Sequence, residues 1–177
     1  AEQVDVTWEI SDEGEIMQLA QLTDLLLSNP PWSRITLDIK YLPYGRQDKD
    51  IENDSCFALR TFTEILNFMA FEKVTIQDPH SPIALDLILD STAYYNEKIV
   101  EKVFEFTDSD IVVYPDTGAL DKYSQLYKFP SLYGNKVRDQ TTGQITSYEL
   151  QSGNLQDQSV LIIDDICDGG ATFIILA

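Results

Sequence analysis

The sequence predicts an α/β fold in which mostly parallel sheets are flanked by helices. Short apolar runs, typical of buried strands, alternate along the chain with segments that carry apolar residues at helical spacing. The clearest run, residues 160–163, has four apolar residues in succession, as expected for a strand buried on both faces of a parallel sheet. Polar clusters follow several of these runs, and ligands of such sheets bind at the carboxyl ends of the strands.

The predicted elements follow one another along the whole chain. Strands are predicted over residues 4–10, 35–39, 74–76, 111–114, 131–133 and 160–163. Helices are predicted over residues 16–27, 57–71, 83–88, 99–106 and 120–127. Residues 135–146 are polar and contain glycine, which indicates a loop or a hairpin. The polar and aromatic segment 90–98 is interpreted as a boundary between two domains, 1–96 and 97–177.

The composition limits the classes of function. The chain has 177 residues, 44% of them hydrophobic, and a net charge of -18. This charge argues against a nucleic-acid partner, because phosphate binding needs clustered lysine and arginine. The chain has no apolar run long enough for a membrane span, which takes about 18 residues or more. Cys56 and Cys167 lie far apart, the N-terminal residues do not form a signal peptide, and a cytoplasmic location is expected.

The end of the sequence carries the clearest functional pattern. Asp164 and Asp165 follow the strand at 160–163, and the turn Asp168-Gly169-Gly170-Ala171-Thr172 leads into an apolar run that should open a helix. Backbone amides of such a turn attract anions. The two acids lie where a ribose or a hydrated metal ion would be held. The alternative is an ordinary strand–turn–helix unit with two solvated acids.

This block resembles the ribose-binding signature of the type I phosphoribosyltransferases. The chain as a whole resembles the ribose-phosphate pyrophosphokinase (phosphoribosyl pyrophosphate synthetase) family. Four further segments carry that resemblance: residues 41–49 (Tyr-Leu-Pro-Tyr-Gly-Arg-Gln-Asp-Lys), 78–81 (Asp-Pro-His-Ser), 114–119 (Tyr-Pro-Asp-Thr-Gly-Ala) and 136–138 (Lys-Val-Arg). The resemblance implies two phosphoribosyltransferase-like halves, of which the first binds ATP and the second binds ribose phosphate. The C-terminal half is expected to be incomplete, because the family continues beyond the helix that follows the ribose loop.

The resemblance also implies roles for individual residues. The implied ATP-binding residues are Arg46, Gln47, Asp48, Lys49 and His80. The implied ligands of Mg²⁺ are His80 and Asp116, and the implied catalytic residues of a flexible loop are Lys136 and Arg138. The implied ribose-phosphate site consists of Asp164, Asp165, Asp168, Gly169, Gly170, Ala171 and Thr172. Lys122 is interpreted either as a phosphate ligand or as a lysine on a helix surface.

Three positions depart from the family pattern. Lys49 stands where the family has arginine, so a bidentate contact there would become a point charge. Ala119 and Ala171 each replace a glycine. Because alanine does not adopt a positive φ as easily as glycine, both loops are expected to be re-shaped.

The implied reaction is the Mg²⁺-dependent transfer of pyrophosphate from ATP to the 1-hydroxyl of ribose 5-phosphate, which gives phosphoribosyl pyrophosphate and AMP. The family resemblance implies a homo-oligomer with no nucleic-acid or membrane partner. One alternative is the same chemistry on a larger ribose phosphate such as ADP-ribose, because Gly169-Gly170-Ala171 differs from the usual Thr-Gly-Gly.

Two other classes of protein remain open. A phosphoribosyltransferase would not explain Arg46-Gln47 or the segment around His80. A catalytically silent regulatory subunit has no physical need for His80, Asp116, Lys136 and Arg138 together.

Overall fold

The computed structural model describes residues 2–29, 32–50, 56–138, 145–151, 153 and 155–176, with the backbone alone for residues 32–33, 136–138 and 145–148. The chain divides into two compact units, Ala1–Tyr95 and Asn96–Ala177. Each unit contains one four-stranded sheet. Strands and helices alternate as expected, so the predicted α/β class with largely parallel sheets is confirmed. The roles assigned to the two halves stay predictions.

The first unit is a parallel sheet with its strands in consecutive order, β1-β2-β3-β4. Its elements are β1 (Glu2–Trp8), α1 (Gly14–Ser28), β2 (Trp32–Ile39), α2 (Ala58–Phe68), β3 (Lys73–Gln77), α3 (Ile83–Leu87) and β4 (Ser91–Tyr94). The strand β4 lies in the first part of the segment 90–98 that was interpreted as a domain boundary, and the division between the two units follows directly after it, between Tyr95 and Asn96. Its sequence, Ser-Thr-Ala-Tyr, has no apolar run, because β4 pairs with β3 at the edge of the sheet and is only half-buried.

The core of the first unit lies on one face of its sheet. Consecutive parallel strands joined by right-handed connections place the intervening helices on the same side. Ile35, Leu37 and Ile39 of β2 are buried on that side, whereas Thr36 and Asp38 between them are only half-buried. The strands of this sheet therefore alternate between apolar and polar residues, unlike strands that are buried on both faces.

A polar network covers the open face near the carboxyl ends of the strands. Lys40 Nζ lies 2.7 Å from Asp38 Oδ2 and donates to Tyr94 Oη at 2.7 Å. The Tyr94 hydroxyl donates to Gln77 Oε1 at 3.2 Å, and Thr75 Oγ1 donates to Asp38 Oδ1 at 3.1 Å. Side chains from β3 and β4 are thus tied to those of β2 and the residue that follows it.

The second unit has the strand order β7-β6-β5-β8, in which β5 pairs in parallel with both β6 and β8. Its elements are α4 (Glu97–Phe106), β5 (Ile111–Tyr114), α5 (Thr117–Tyr123), β6 (Ser131–Arg138), β7 (Ile145–Leu150), β8 (Val160–Ile162) and α6 (Ala171–Leu176). The strand β6 is longer than predicted and pairs antiparallel with β7. Residues 135–138 and 145–146 of the segment that was expected to be a loop or a hairpin thus belong to two paired antiparallel strands, and residues 139–144 lie outside the described residues.

Aromatic rings fill the core of the second unit. Tyr114 of β5 stacks on Tyr123 of α5 with ring centres 6.2 Å apart, and Tyr123 stacks on Tyr127 at 5.7 Å. Phe129 continues the series toward Phe104 of α4, with ring centres 4.1 Å apart.

The longest helix, α1, has 15 residues, and none of the helices in the described ranges is long and apolar enough to cross a membrane.

We expect Tyr114→Phe to maintain or increase the stability of the protein. The hydroxyl of Tyr114 is buried without a hydrogen-bond partner among the described residues, and burial raises its pKa. An unsatisfied buried hydroxyl costs about 1–3 kcal/mol, so its removal should increase the free energy of unfolding by up to that amount. Urea denaturation of both proteins measures the difference. A loss of more than about 1 kcal/mol would instead show that the hydroxyl has a partner.

Candidate functional site

Two strained turns meet at the carboxyl edge of the first sheet. Tyr44, in the segment after β2, and Asp78, directly after β3, both have a left-handed backbone, with φ of 59° and 45°. A non-glycine residue in this region is strained by about 1–2 kcal/mol, and such strain is concentrated at functional sites. A Cβ added to Gly45 would lie 3.6 Å from His80 Cβ, so the two turns are almost in contact.

Backbone hydrogen bonds fix both turns. Gln47 N donates to Tyr44 O at 2.8 Å, and Leu59 N donates to Gln47 O at 3.2 Å, which ties the first turn to the start of α2. Asp78 N donates to Tyr94 O at 2.9 Å. The next residue, Pro79, is buried, whereas His80 is exposed at the edge of the sheet. The structure therefore brings His80 close to Gly45, the residue before Arg46 and Gln47.

A cleft of about 370 Å³ opens beside the first turn. One wall is the loop of residues 10–13 after β1, and the other is formed by Tyr41 and residues 43–47. The Tyr44 hydroxyl donates to Glu13 Oε1 at 2.6 Å and joins the two walls, and this hydrogen bond raises the pKa of Tyr44. The ring of Tyr44 also packs against Phe62 of α2, with ring centres 5.8 Å apart.

Arg46 and Gln47 line this cleft, and both side chains are exposed. Asp48 and Lys49 follow in the same loop but are not among the residues that line the cleft. Glu13 is not among the site residues predicted from the sequence. Its contact with Tyr44 spans 31 positions in the sequence, and nothing in the local pattern indicates it.

Acidic side chains meet at the carboxyl edge of the second sheet. Asp116 follows β5, and Asp164 and Asp165 follow β8, which is the neighbouring parallel strand. Asp116 also caps α5, because its Oδ1 accepts a hydrogen bond from Ala119 N at 2.9 Å. The parallel pairing of β5 with β8 therefore places these acids together.

The pKa of Asp164 is raised to about 6, mainly by burial and further by the neighbouring carboxylates of Asp165 and Asp116. The hydrogen bond that Asp165 N donates to Asp164 Oδ1 at 3.0 Å opposes this rise. On the other side of the cluster, Lys122 Nζ of α5 lies 3.4 Å from Asp165 Oδ2. The cluster thus combines carboxylates that repel one another with a lysine that pairs with one of them.

The turn of residues 168–172 ends in the short helix α6. Gly170 has a φ of 73°, a conformation that glycine adopts without strain. Ala171 begins α6, and Ala119 lies inside α5, so neither alanine occupies a position that needs a positive φ. The alanines are thus not strained, and the re-shaping of the two loops relative to the family stays a prediction. A Cβ added to Gly169 would meet no atom within 4 Å, so the turn is open at that residue.

The structure does not place the side chains of Lys136 and Arg138. Their backbone belongs to β6, where Lys136 pairs with Tyr148 and Arg138 with Ile145 of β7. They lie in one of two paired antiparallel strands, as in the hairpin that was one of the two alternatives for this segment. Their catalytic role stays a prediction, as do the ligand roles of the other predicted residues. Within the described ranges, no three His, Cys, Asp or Glu side chains form a group that could hold a metal ion.

Comparisons with known proteins agree with this architecture. No family model matches the chain. The chain is 30% identical over 146 residues to the ribose-phosphate pyrophosphokinase of Saccharolobus solfataricus. The aligned region covers 80% of this chain and 50% of that protein. It is 23% identical over 171 residues to the enzyme of the same name from Pyrococcus abyssi, which covers 95% of this chain and 59% of that protein.

The crystal structure of phosphoribosylpyrophosphate synthetase from Mycobacterium smegmatis has a similar fold. The TM-score is 0.75 and the identity 21%, over 97% of this chain and 57% of that one. The fold is thus that of the phosphoribosylpyrophosphate synthetases. By sequence the chain is similar to several proteins named ribose-phosphate pyrophosphokinase, which supports the family that its motifs implied. The chain spans about half the length of the curated relatives it matches.

The raised pKa of Asp164 predicts a dependence of stability on pH. The pKa is about 6 in the folded protein and 3.8 in the unfolded chain, so ionisation is less favourable in the folded state. The contribution of Asp164 to stability is therefore present below pH 4 and is lost as the pH rises to about 6. Because the side chain is only partly buried, screening reduces the loss to about 1–2 kcal/mol.

We therefore expect Asp164→Asn to be more stable than the wild type above pH 6, with the difference vanishing near pH 4. Urea denaturation of both proteins between pH 4 and pH 7.5 measures this difference, in which the titration of groups that do not contact Asp164 cancels. A difference that is constant over this range would contradict the raised pKa.

Proposed function

We propose that this protein transfers the pyrophosphoryl group of ATP to the 1-hydroxyl of ribose 5-phosphate, giving phosphoribosyl pyrophosphate and AMP. The observation that carries the proposal is the acidic cluster of Asp116, Asp164 and Asp165 beside the open turn of residues 168–172. It lies at the carboxyl edge of a parallel sheet, where ligands of this class of fold bind. The relatives named ribose-phosphate pyrophosphokinase support the same reaction.

In this proposal the second unit binds the sugar phosphate. The carboxylates of Asp164 and Asp165 accept hydrogen bonds from the ribose hydroxyls. The backbone amides of Gly169, Gly170 and Ala171 and the hydroxyl of Thr172 bind the 5-phosphate, with Asp168 at the start of the turn. The left-handed Gly170 supports this assignment, because it bends the chain tightly enough for successive amides to face one anion.

The first unit binds ATP in this proposal. Arg46 lines the cleft and carries a planar guanidinium that suits phosphate oxygens, and Gln47 beside it donates a further hydrogen bond. Asp48 and Lys49 extend the same loop, and His80 lies across from Gly45. The cleft between the loop of residues 10–13 and Arg46 has room for part of a nucleotide.

The donor groups of both edges suit Mg²⁺. The carboxylates of the acidic cluster are hard oxygen ligands, and their mutual repulsion, which contributes to the raised pKa of Asp164, would be relieved by a divalent cation. Mg²⁺ usually keeps several waters and binds through one or two carboxylates and the substrate phosphates. Few protein ligands are therefore needed, and the proposed ones are Asp116 in the second unit and, separately, His80 in the first unit. When bound, Mg²⁺ would neutralise charge on the phosphates.

Lys136 and Arg138 are the proposed catalytic residues. Their positive charges would stabilise the charge that develops on the transferred group, as preorganised cations do in phosphoryl transfer. A homo-oligomeric enzyme in the cytoplasm completes the proposal. The oligomer rests on the family resemblance, and the location rests on the two widely separated cysteines.

A second candidate is the same chemistry on a larger ribose phosphate such as ADP-ribose. The open space at Gly169 favours it, because a substituent on the 5-phosphate would meet no described atom there. In this case the second phosphate group, which is attached to the 5-phosphate, would extend into the open space beside Gly169.

The decisive test is the release of AMP by the purified protein with ATP and Mg²⁺. Ribose 5-phosphate, ADP-ribose and no sugar are compared, and the product is identified by mass. We expect AMP release that depends on ribose 5-phosphate and a product heavier by one pyrophosphoryl group. Release with ADP-ribose alone would establish the second candidate. If ATP binds and no acceptor yields AMP, the enzymatic proposal is wrong and a regulatory role takes its place.

A matched pair of arginine variants tests the ATP site. Arg46→Ala should lower kcat/KM for ATP about 10- to 100-fold, the value of one hydrogen bond to a charged group. Arg34 is exposed in the same unit and pairs with Glu72 at 3.6 Å on the surface. Its replacement by alanine should change kcat/KM less than about twofold, because surface ion pairs contribute little. Equal effects of the two variants would exclude Arg46 from the site.

A further inference from the structure

A lysine of α5 holds one acid of the cluster in place. Lys122 Nζ lies 3.4 Å from Asp165 Oδ2, and the two side chains are only 16% and 9% exposed. The same ammonium lies 4.9 Å from the centre of the Tyr123 ring. Lys122 is therefore confined between a carboxylate and an aromatic face. It is not a solvated lysine on a helix surface, which was one of the two interpretations of its sequence position.

The ion pair has a direct effect on the charge of the cluster. Asp165 also donates its backbone N–H to Asp164 Oδ1 at 3.0 Å, so the two acids are linked at their backbone and side chains. Asp164 lies near enough to repel the Asp165 carboxylate, and Asp116 in turn repels Asp164. Lys122 provides the opposing attraction. Without Lys122, the largely buried carboxylate of Asp165 would lose this ion pair while it stays beside Asp164, and the loss of one partner of a buried pair is costly.

We propose that Lys122 is a positioning residue that fixes the carboxylate of Asp165 for binding of the ribose hydroxyls. The inference rests on the proposed function, in which Asp165 is a ligand of the sugar. Lys122 holds the Asp165 side chain in one orientation before the sugar arrives, so less ordering is needed on binding. Its effect is expected on the sugar and not on ATP, because it acts through Asp165.

The test compares Lys122→Met with two matched variants. Methionine retains an unbranched apolar chain but removes the charge. Lys122→Arg restores the charge. Lys128→Met is the control, because Lys128 is an exposed lysine of the same unit that donates to Gln125 O at 3.1 Å and contacts no acid of the cluster. Binding of ribose 5-phosphate to the full chain is measured by calorimetry, and KM values for the sugar and for ATP are measured by AMP release.

We expect Lys122→Met to weaken ribose 5-phosphate binding about tenfold or more and to raise KM for the sugar similarly, with KM for ATP changed less than about twofold. Lys122→Arg should recover most of the sugar binding, and Lys128→Met should behave as the wild type. A purely structural role would lower the active fraction and would not raise KM for one substrate alone. Unchanged sugar binding in Lys122→Met, or a rise in KM for ATP instead, would overturn the inference.

A double-mutant cycle tests whether Lys122 acts through Asp165. In the Asp165→Asn background no carboxylate remains to be held, so Lys122→Met should change sugar binding less than about twofold. This double variant also has no uncompensated carboxylate, so it keeps the test available if Lys122→Met alone fails to fold. An undiminished effect in this background would overturn the inference.

The two proposals fail in different ways. If ribose 5-phosphate binds in a Lys122-dependent manner but no AMP is released, pyrophosphoryl transfer is wrong and the positioning role stands. If turnover is normal and Lys122→Met matches Lys128→Met, only the positioning role is wrong. If the wild type does not bind ribose 5-phosphate, both are wrong.

Discussion

The parallel pairing of β8 with β5 is the constraint on which the second unit depends. β5 lies between two strands and pairs with β6 on one side and β8 on the other. Its side chains also belong to the aromatic core of the unit. The pairing with β8 brings residues 164 and 165 beside residue 116, although 48 positions separate Asp116 from Asp164 in the sequence. Burial at this junction then makes the acids interact strongly, because the low dielectric constant weakens screening. The position of the lysine on α5 follows from the same junction.

In the first unit, strained turns in the backbone bring the polar residues together. Its carboxyl edge carries two non-glycine residues in the left-handed region, and both turn the chain so that Arg46 and His80 reach one edge. The strain is supported by a helix on one side and by the neighbouring strand on the other. Rigid supports of this kind keep charged groups oriented before a ligand binds, which lowers the ordering cost of binding. Different interactions therefore fix the side chains of the two candidate sites. Strained turns do so in the first unit, and a buried ion pair does so in the second.

Much of the fold could be predicted from the sequence because it depends on local apolar patterns. β2, β3, β5 and β8 each contain such a pattern, and the predicted positions agree with the structure to within a few residues. β4 was missed, because Ser91, Thr92 and Tyr94 face partly exposed surroundings and show no apolar run. The acids of the second site could be predicted from their position after a strand. The partners of Tyr44 and Asp165 could not be predicted. Glu13 is 31 positions from Tyr44 and Lys122 is 43 positions from Asp165, and the residues around each of them give no sign of the contact.

The one-sided core of the first sheet has a further consequence, which concerns strand alignment. Side chains of a strand point alternately to opposite faces, so a shift of one residue between β2 and β3 would exchange the two faces of the shifted strand. Thr36 and Asp38 would then lie beneath the helices, and Leu37 and Ile39 would face water. A sheet with two apolar faces tolerates such a shift far better. Every shift of β2 against β3 by an odd number of residues would therefore bury polar side chains and be unfavourable. The polar residues thus favour the correct register, although they contribute little to the core.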